Sequence, residues 1–230
     1  HPFVSAPNMW HLANLGLGES LAATRINTAQ AAARLAGDAF AKRDATLVVE
    51  TKTSQKDIVT QYDLAAQRTI EDLVTRTHPD DAFLGEESVA PGVDASTAAL
   101  DSLKRSEWLW VVDPLDGTTN FASSLPLSTV SIGLAHFGEL VGGVIYDPYR
   151  QEMFVAEAGG AATMNGERIS VSDATTLGRS VLAAGCPPNP RSLAPSLRGC
   201  NYLAPRVNTI RMLGSAALMM AWVAAGRLTA

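Results

Sequence analysis

The stretch WLWVVDPLDGTTNF at residues 108–121 guides our interpretation of the whole sequence. A continuous apolar run precedes Asp113, as expected for a buried β-strand that delivers this aspartate to its end. Pro114 predicts a tight turn, because its ring restricts φ and removes a backbone donor. The turn can direct the carboxylates of Asp113 and Asp116 and the carbonyl of Leu115 towards one region. Oxygen ligands of this kind suit magnesium, whereas zinc sites favour Cys and His.

The residues that follow this turn are suited to binding an anion. Gly117 allows the backbone to approach a ligand closely, and residues 117–120 are predicted to open a helix. Free N–H groups at a helix start bind phosphate oxygens, and metal ions beside a phosphate cradle support metal-assisted phosphate hydrolysis. A plain Asp-Pro turn is the simpler interpretation of the dipeptide alone, as at residues 147–148. The whole stretch after a buried strand favours the functional interpretation.

Other charged residues lie near predicted element ends. Glu86 and Glu87 follow a short apolar strand predicted at 82–85, where adjacent carboxylates are costly unless a cation compensates them. A solvated acidic turn is the alternative. Asp63 lies at a predicted helix start, where it can cap the helix or accept a hydrogen bond from a hydroxyl group. Lys52, taken alone, is interpreted as a surface lysine.

Helices and antiparallel strands occur together early and again late in the chain, which predicts an α/β (α+β) layered architecture. Successive strands with short turns indicate an antiparallel sheet, and Asn165-Gly166 is a hairpin signal. Ser20 is the expected N-cap of the first helix. We predict helices at 20–40, 64–75 and 214–225, and strands at 46–51, 82–85, 108–112, 128–135, 140–146, 151–156, 181–184 and 208–212. Residues 89–106 are expected to form a loop that could include a short helix.

The predicted domain organisation has three parts: an N-terminal arm at 1–18, an α+β domain with the metal site at 19–150, and a C-terminal α/β domain at 151–230. A net charge of −5 argues against sequence-independent binding of nucleic acid. The longest apolar run, at 216–225, is too short to span a bilayer, so no membrane association is expected.

Two cysteines, Cys186 and Cys200, lack the paired spacing of a zinc site and are expected to be reduced. A soluble protein in a reducing compartment follows from this. The chain begins at His1, so we expect that a preceding segment has been removed. The compartment would be the cytoplasm or an organelle such as the plastid stroma.

The order of these motifs resembles the inositol monophosphatase family, over about residues 20–230. The likeness is most specific in the central stretch. Its other parts are DIVT at 57–60 with Asp63, GEES at 85–88, residues 126–133, GGVIYDP at 142–148, Asn165-Gly166 and GSAA at 214–217. The resemblance implies the family's layered fold, a homodimer, inhibition by lithium and dependence on two or three Mg²⁺ ions.

The resemblance also implies a role for each acidic residue. Glu86, Asp113 and the Leu115 carbonyl would hold the first magnesium, while Asp113 and Asp116 would hold part of a second. Glu86 would help to position a weaker third ion. Glu87 would contact the residues that bind the ions rather than the ions themselves.

Catalysis and substrate binding follow from the same resemblance. Thr118, supported by Asp63, would orient and activate the attacking water, which makes these two residues and Glu86 the catalytic set. The backbone N–H groups of Gly117 and Thr118 would meet the phosphate. The remaining substrate-binding residues would be Lys52, Gly214 and Ser215.

The family continues beyond the helix that begins near Gly214. It adds a strand, an acidic residue that contacts substrate, and a Trp-Asp motif whose aspartate ligates the second magnesium. This chain ends at Ala230. We expect it to be a piece of a longer protein, so the activity of these residues alone is doubtful. A natural truncation that lost activity is the alternative.

The leading functional hypothesis is magnesium-dependent hydrolysis of a small-molecule phosphate ester similar to inositol monophosphate. Histidinol phosphate, fructose 1,6-bisphosphate and adenosine 3′,5′-bisphosphate are alternative substrates. A non-catalytic scaffold subunit that retains the fold is a second hypothesis. A third is a phosphoinositide or nucleotide sensor that binds its ligand without turnover.

Overall fold

A computed structural model describes residues 17–42, 49–54, 57–90, 92–187 and 190–230. The helices are α1 (Leu17–Ala41), α2 (Gln61–Thr77), α3 (Val93–Leu103), α4 (Thr118–Ala122), α5 (Pro190–Leu203) and α6 (Ala216–Ala224). The strands are β1 (Val49–Ser54), β2 (Asp57–Thr60), β3 (Ala82–Gly85), β4 (Trp108–Asp116), β5 (Thr129–His136), β6 (Glu139–Asp147), β7 (Glu152–Glu157), β8 (Thr163–Met164), β9 (Glu167–Arg168), β10 (Val181–Ala183) and β11 (Thr209–Arg211).

A seven-stranded sheet organises the structure, with the strand order β3-β4-β5-β6-β7-β8-β9. β3 runs parallel to β4, and every later neighbour is antiparallel, as predicted for the run of strands with short turns. β7 pairs with β6 along its whole length. The sheet therefore crosses residue 150, where we divided the chain, and that division stays a prediction.

Two small sheets and one tight hairpin complete the strand pairing. β1 pairs with β2 antiparallel, and β10 pairs with β11 parallel. The predicted hairpin joins β8 to β9 through Asn165 and Gly166, whose φ angles of 51° and 85° lie in the left-handed region. Both central residues of a type I′ turn need this conformation, which explains the Asn-Gly signal.

Helices α1 and α2 cover one face of the large sheet. Alternate residues of β4 point to this side, among them Trp110 and Val112, which are almost fully buried. α1 contacts the sheet through small residues, and a Cβ at Gly37 would lie 2.7 Å from the ring of Tyr146. Tyr146 donates a hydrogen bond to Asp38 Oδ1 at 2.7 Å. The alanines that α1 contributes to this core are Ala29, Ala32, Ala33 and Ala36.

Helix α6 packs on the opposite face of the sheet, which gives the helix–sheet–helix layering that the sequence predicted. An apolar cavity of about 470 Å³ lies between α6 and strands β5–β7. Phe154, Met220 and Ala224 are among the residues that line it. Within the ranges described above, no helix combines the length and the apolar character that crossing a bilayer requires.

Several local expectations are corrected by the structure. Ser20 lies inside α1, which already includes Leu17, so Ser20 is not an N-cap. Residues 89–106 contain the eleven-residue helix α3 rather than a mainly loop-like segment. Helix α5 was not predicted, and it contains Pro195 in its interior. The predicted strand at 46–51 overlaps β1, although residues 46–48 lie outside the described residues, as does most of the predicted arm at 1–18.

A buried ion pair joins α1 to the segment that follows α2. Arg25 pairs with Asp81 at 2.7 Å, and Asp81 also accepts a hydrogen bond from Trp110 Nε1 at 2.8 Å. His78 stacks on the Trp110 ring with a centroid distance of 5.7 Å, and its Nε2 lies 3.1 Å from Thr28 Oγ1. Burial lowers the pKa of His78, and the charge of Arg25 lowers it further against an opposing effect of Asp81.

This environment predicts a pH dependence of stability. The folded-state pKa of His78 lies below its ordinary value of 6.5, so the unfolded chain binds more protons just below that pH. The free energy of unfolding should therefore fall as the pH drops through this window. His78→Gln removes the titration of this side chain. The free energy of unfolding, measured with urea between about pH 5 and pH 6.5, should therefore change less steeply with pH in the variant. The same pH dependence of the unfolding free energy in both proteins would contradict this role of His78.

Candidate active site

The turn at the end of β4 holds three potential oxygen ligands. Leu115 N donates to Asp113 Oδ1 at 3.1 Å, which closes a side-chain turn around Pro114. The Leu115 side chain is 1% exposed and anchors the turn in the core. Gly117 has a φ of 95°, and a Cβ there would lie 2.8 Å from Leu127 O, so the turn requires glycine. Helix α4 begins at the next residue, as predicted.

Strand register brings Glu86 to the same place as Asp113. β3 and β4 are parallel neighbours, and Gly85 of β3 pairs with Val112 of β4. Each of these two residues is followed by an acid, Glu86 in one case and Asp113 in the other. Glu86 and Asp116 both lie close enough to Asp113 to act on its carboxyl group electrostatically. The structure therefore places Glu86 and Asp116 near Asp113.

Asp113 carries the strongest electrostatic signature of the site. Burial raises its pKa well above the usual range, and the neighbouring carboxylates of Glu86 and Asp116 raise it further. The hydrogen bond from Leu115 N opposes this effect. A proton on one of two neighbouring carboxylates relieves the repulsion between them. A divalent cation can replace that proton, which is the sense in which this oxygen-only donor set fits magnesium.

Gln67 on α2 supports the turn that carries the glutamates. Its Oε1 accepts a hydrogen bond from Glu87 N at 2.8 Å, and its Nε2 donates to Ser88 Oγ at 2.8 Å. A Cβ at Gly85 would lie 2.2 Å from Gln67 Oε1. We did not predict this contact. Its only signal was a glutamine on the apolar side of α2.

Asp63 orients the Thr118 hydroxyl. Its Oδ1 accepts a hydrogen bond from Thr118 Oγ1 at 3.0 Å, while Oδ2 accepts from Thr60 N at 2.8 Å and Thr60 Oγ1 at 2.6 Å. Thr60 is the N-cap of α2 and forms a capping box with Asp63. Both interpretations of Asp63 therefore hold together. Burial raises the pKa of Asp63, although the hydrogen bonds from Thr60 and Thr118 oppose the rise.

Asp116 is held by the start of α6. Its carboxylate accepts hydrogen bonds from Ser215 Oγ at 2.5 Å, Ala217 N at 2.7 Å and Ala216 N at 3.2 Å. Ser215 is also the N-cap of α6 and accepts from Leu218 N at 3.2 Å. A negative charge is favourable at this end of a helix.

The structure brings some of the predicted site residues close together and leaves others apart. Among the described residues, no three His, Cys, Asp or Glu side chains gather their ligand atoms around one point. Glu86 and Asp113 meet, whereas the oxygens of Asp116 face α6. The Lys52 backbone belongs to β1, but its side chain lies outside the described residues. The ligand roles of these residues stay predictions.

Asn120 connects helix α4 with the segment that precedes α6. Its Nδ2 donates to Leu127 O at 2.9 Å and to Leu213 O at 2.6 Å, across 93 positions of the sequence in the second case. Gly214 packs directly on it, because a Cβ there would lie 2.9 Å from Asn120 Nδ2. Ser128 Oγ donates to Gly117 O at 3.0 Å beside this contact. The sequence placed Asn120 only at a helix start and did not reveal this bridging role.

Removing the Asn120 amide should destabilise the protein. Asn120→Ala leaves the carbonyls of Leu127 and Leu213 without this donor, which should lower the free energy of unfolding by roughly 2–4 kcal/mol. Asn120→Asp, which has the same shape, should be at least as damaging, because a carboxylate would face two carbonyl oxygens. Chemical denaturation measures both. A loss below about 0.5 kcal/mol in both variants would contradict the bridging role.

Comparison with known proteins places the chain among relatives. The inositol monophosphatase family model matches residues 18–230. Nus factor SuhB of Pasteurella multocida is 38% identical over 207 residues, which cover 88% of this chain and 73% of the relative. Inositol-1-monophosphatase of Caulobacter vibrioides is 36% identical over 206 residues, covering 86% of this chain and 76% of that protein. The crystal structure of extragenic suppressor protein suhB from Bartonella henselae has a TM-score of 0.78 at 35% identity, covering 89% of this chain and 76% of that chain. This chain belongs to the inositol monophosphatase family.

Proposed function

We propose that this chain provides the catalytic centre of a magnesium-dependent phosphatase that hydrolyses a small phosphate monoester similar to inositol monophosphate. The observation that carries the proposal is the half-buried Asp113 carboxyl, whose pKa is raised by desolvation and by the nearby carboxylates of Glu86 and Asp116. Such crowding of like charges is unfavourable unless a cation compensates it. The name of the Caulobacter vibrioides relative, an inositol-1-monophosphatase, supports the same activity.

Glu86, Asp113 and the Leu115 carbonyl are the proposed ligands of the first Mg²⁺, and Asp113 and Asp116 are proposed for a second. When bound, Mg²⁺ would offset the negative charge of the phosphate ester and favour deprotonation of a nearby water. Asp116 also accepts hydrogen bonds from α6, so the helix holds this carboxylate in place. Glu87 is proposed to support the ligands through the turn that Gln67 fixes.

The Thr118 hydroxyl is proposed to orient the attacking water. Its proton is donated to Asp63 at 3.0 Å, so the lone pairs of Thr118 Oγ1 can accept a hydrogen bond from that water. The backbone N–H groups of Gly117 and Thr118 are proposed to bind phosphate oxygens. Lys52, Gly214 and Ser215 complete the proposed substrate site, which Ser215 adjoins through its contact with Asp116.

A second candidate function is binding without turnover. It is favoured by the Pasteurella multocida relative, which is named as a Nus factor and is 38% identical to this chain. In that case the fold would act as a scaffold, and the acidic cluster would bind ions or a ligand without releasing phosphate. Activity measurements separate the two candidates.

The first test is phosphate release from a panel of monoesters by the longest natural form of the protein. Magnesium should support turnover and added lithium should reduce it. Asp116→Asn should lower kcat by on the order of 100-fold or more, since a charged ligand is lost. Asp101→Asn is the matched control, because Asp101 lies in an exposed ion pair with Lys104. Undiminished turnover in Asp116→Asn would contradict the proposal, and Glu86→Gln provides an independent variant if Asp116→Asn fails to fold.

The second test concerns the Thr118 hydroxyl. Thr118→Ser keeps the group that donates to Asp63 and should retain most of the activity. Thr118→Val keeps the size of the side chain but removes the hydroxyl, and should lower kcat by on the order of 100-fold with little change in KM. Steady-state kinetics on both variants measures this difference. Equal kcat values for the two variants would exclude the proposed role.

A further inference from the structure

Helix α6 buries few apolar side chains, although its N-terminal end holds Asp116. It spans nine residues, and Ala217, Leu218 and Ala221 are its buried side chains. Met220 is 63% exposed, and one flank of the helix faces the apolar cavity of about 470 Å³. Two small alanines and one leucine offer little resistance to sliding or rotation of the helix. The position of α6 must therefore depend on other contacts.

Trp222, in the last turn of α6, has two arginine side chains near its ring. The guanidinium carbon of Arg150 is 5.2 Å from the centroid of the tryptophan ring, and that of Arg227 is 5.6 Å away. Within the described part of the chain, Trp222 Nε1 is buried and has no hydrogen-bond partner. The aromatic face, rather than the N–H group, therefore makes the contact.

Each arginine is in turn fixed to the large sheet. Arg150 donates to Asp147 Oδ2 at 2.8 Å, and Asp147 is fully buried at the end of β6. Arg227 donates to both carboxylate oxygens of Glu152 at the start of β7, at 2.5 and 2.6 Å. Its backbone N–H also donates to Trp222 O at 2.9 Å, at the C-terminal end of α6. Two ion pairs thus fix the arginines that contact Trp222 at the end of α6.

Arg150 also reaches the segment behind the metal turn. Its Nη1 donates to Pro126 O at 3.1 Å. The next residue, Leu127, accepts the hydrogen bond of Asn120, and Ser128 donates to Gly117 O at 3.0 Å. One arginine therefore contacts both the helix that holds Asp116 and the segment that supports the Gly117 turn.

We propose that Arg150, Trp222 and Arg227 form a clamp that positions α6, so that the N–H groups of Ala216 and Ala217 hold the Asp116 carboxylate. These three are positioning residues, because none of them contacts Asp116 itself. The consequence for ion binding rests on the proposed function, whereas the contact between α6 and Asp116 does not. Loss of the clamp should free the helix to shift and lengthen the hydrogen bonds to Asp116.

Amide hydrogen exchange at Ala217, measured by NMR, tests the clamp without any ion or substrate. Arg227→Gln and Trp222→Leu should each accelerate exchange of this amide by about 10-fold or more. Trp222→Phe keeps an aromatic face and should leave exchange close to that of the wild type. Arg206→Gln is the matched control, since Arg206 stacks on Tyr202 at 4.0 Å in a separate part of the fold. Unchanged exchange in Arg227→Gln and Trp222→Leu would overturn the proposal.

Calorimetric titration with Mn²⁺ then tests the consequence for the site. Arg150→Gln should weaken binding of one ion by roughly 10-fold and leave tighter binding at the Glu86–Asp113 pair unchanged. The same variant should raise the metal concentration that gives half-maximal activity more than it lowers kcat. If the wild type binds no Mn²⁺, the proposed function fails while the exchange result still decides the clamp. If Arg150→Gln accelerates exchange but leaves both Mn²⁺ affinities unchanged, the clamp does not control ion binding.

Discussion

Repulsion among neighbouring carboxylates is the constraint on which the rest of this structure depends. Glu86 and Asp113 lie side by side because β3 and β4 are parallel and Gly85, the residue before Glu86, pairs with Val112, the residue before Asp113. Asp116 follows three positions later on the turn that Pro114 initiates. Bringing these acids together is unfavourable, as the raised pKa of Asp113 indicates. The fold must therefore oppose the repulsion, and a divalent cation would relieve it.

Neutral polar side chains provide most of that opposition. Gln67 fixes the turn that carries the glutamates, and Asn120 ties the metal turn to the segment before α6. The Asp116 charge is accommodated by the N-terminus of α6 and by the Ser215 hydroxyl. Asp63 differs, because it is itself an acid, yet its hydrogen bonds from Thr60 and Thr118 make it part of a helix cap. The acids are thus held by groups from α2, α4 and α6.

The sequence predicted the features that depend on neighbouring residues. The apolar run before Asp113, the helix start after Gly117 and the Asn165-Gly166 hairpin are local signals, and the structure confirms the elements they predicted. The turn predicted at Pro114 does not end the strand, because β4 continues to Asp116 with an irregular pairing register between Asp113 and Asp116. Contacts between distant segments could not be predicted. Gln67 reaches Glu87 across 20 positions, and Asp116 reaches Ser215 across 99. Pairing partners across such separations depend on tertiary packing rather than on spacing. The acidic residues of the site could therefore be predicted from the sequence, whereas the residues that hold them in place could not.

The central claim is that divalent ions bind among these carboxylates, and anomalous diffraction tests it most directly. Crystals of the protein grown with Mn²⁺, which favours the same oxygen ligands as Mg²⁺, would locate bound ions without reference to activity. The account predicts an anomalous peak about 2.0–2.3 Å from carboxylate oxygens of Glu86 and Asp113 and from the Leu115 carbonyl. An empty site at saturating Mn²⁺, with Glu86 and Asp113 still neighbours, would contradict it.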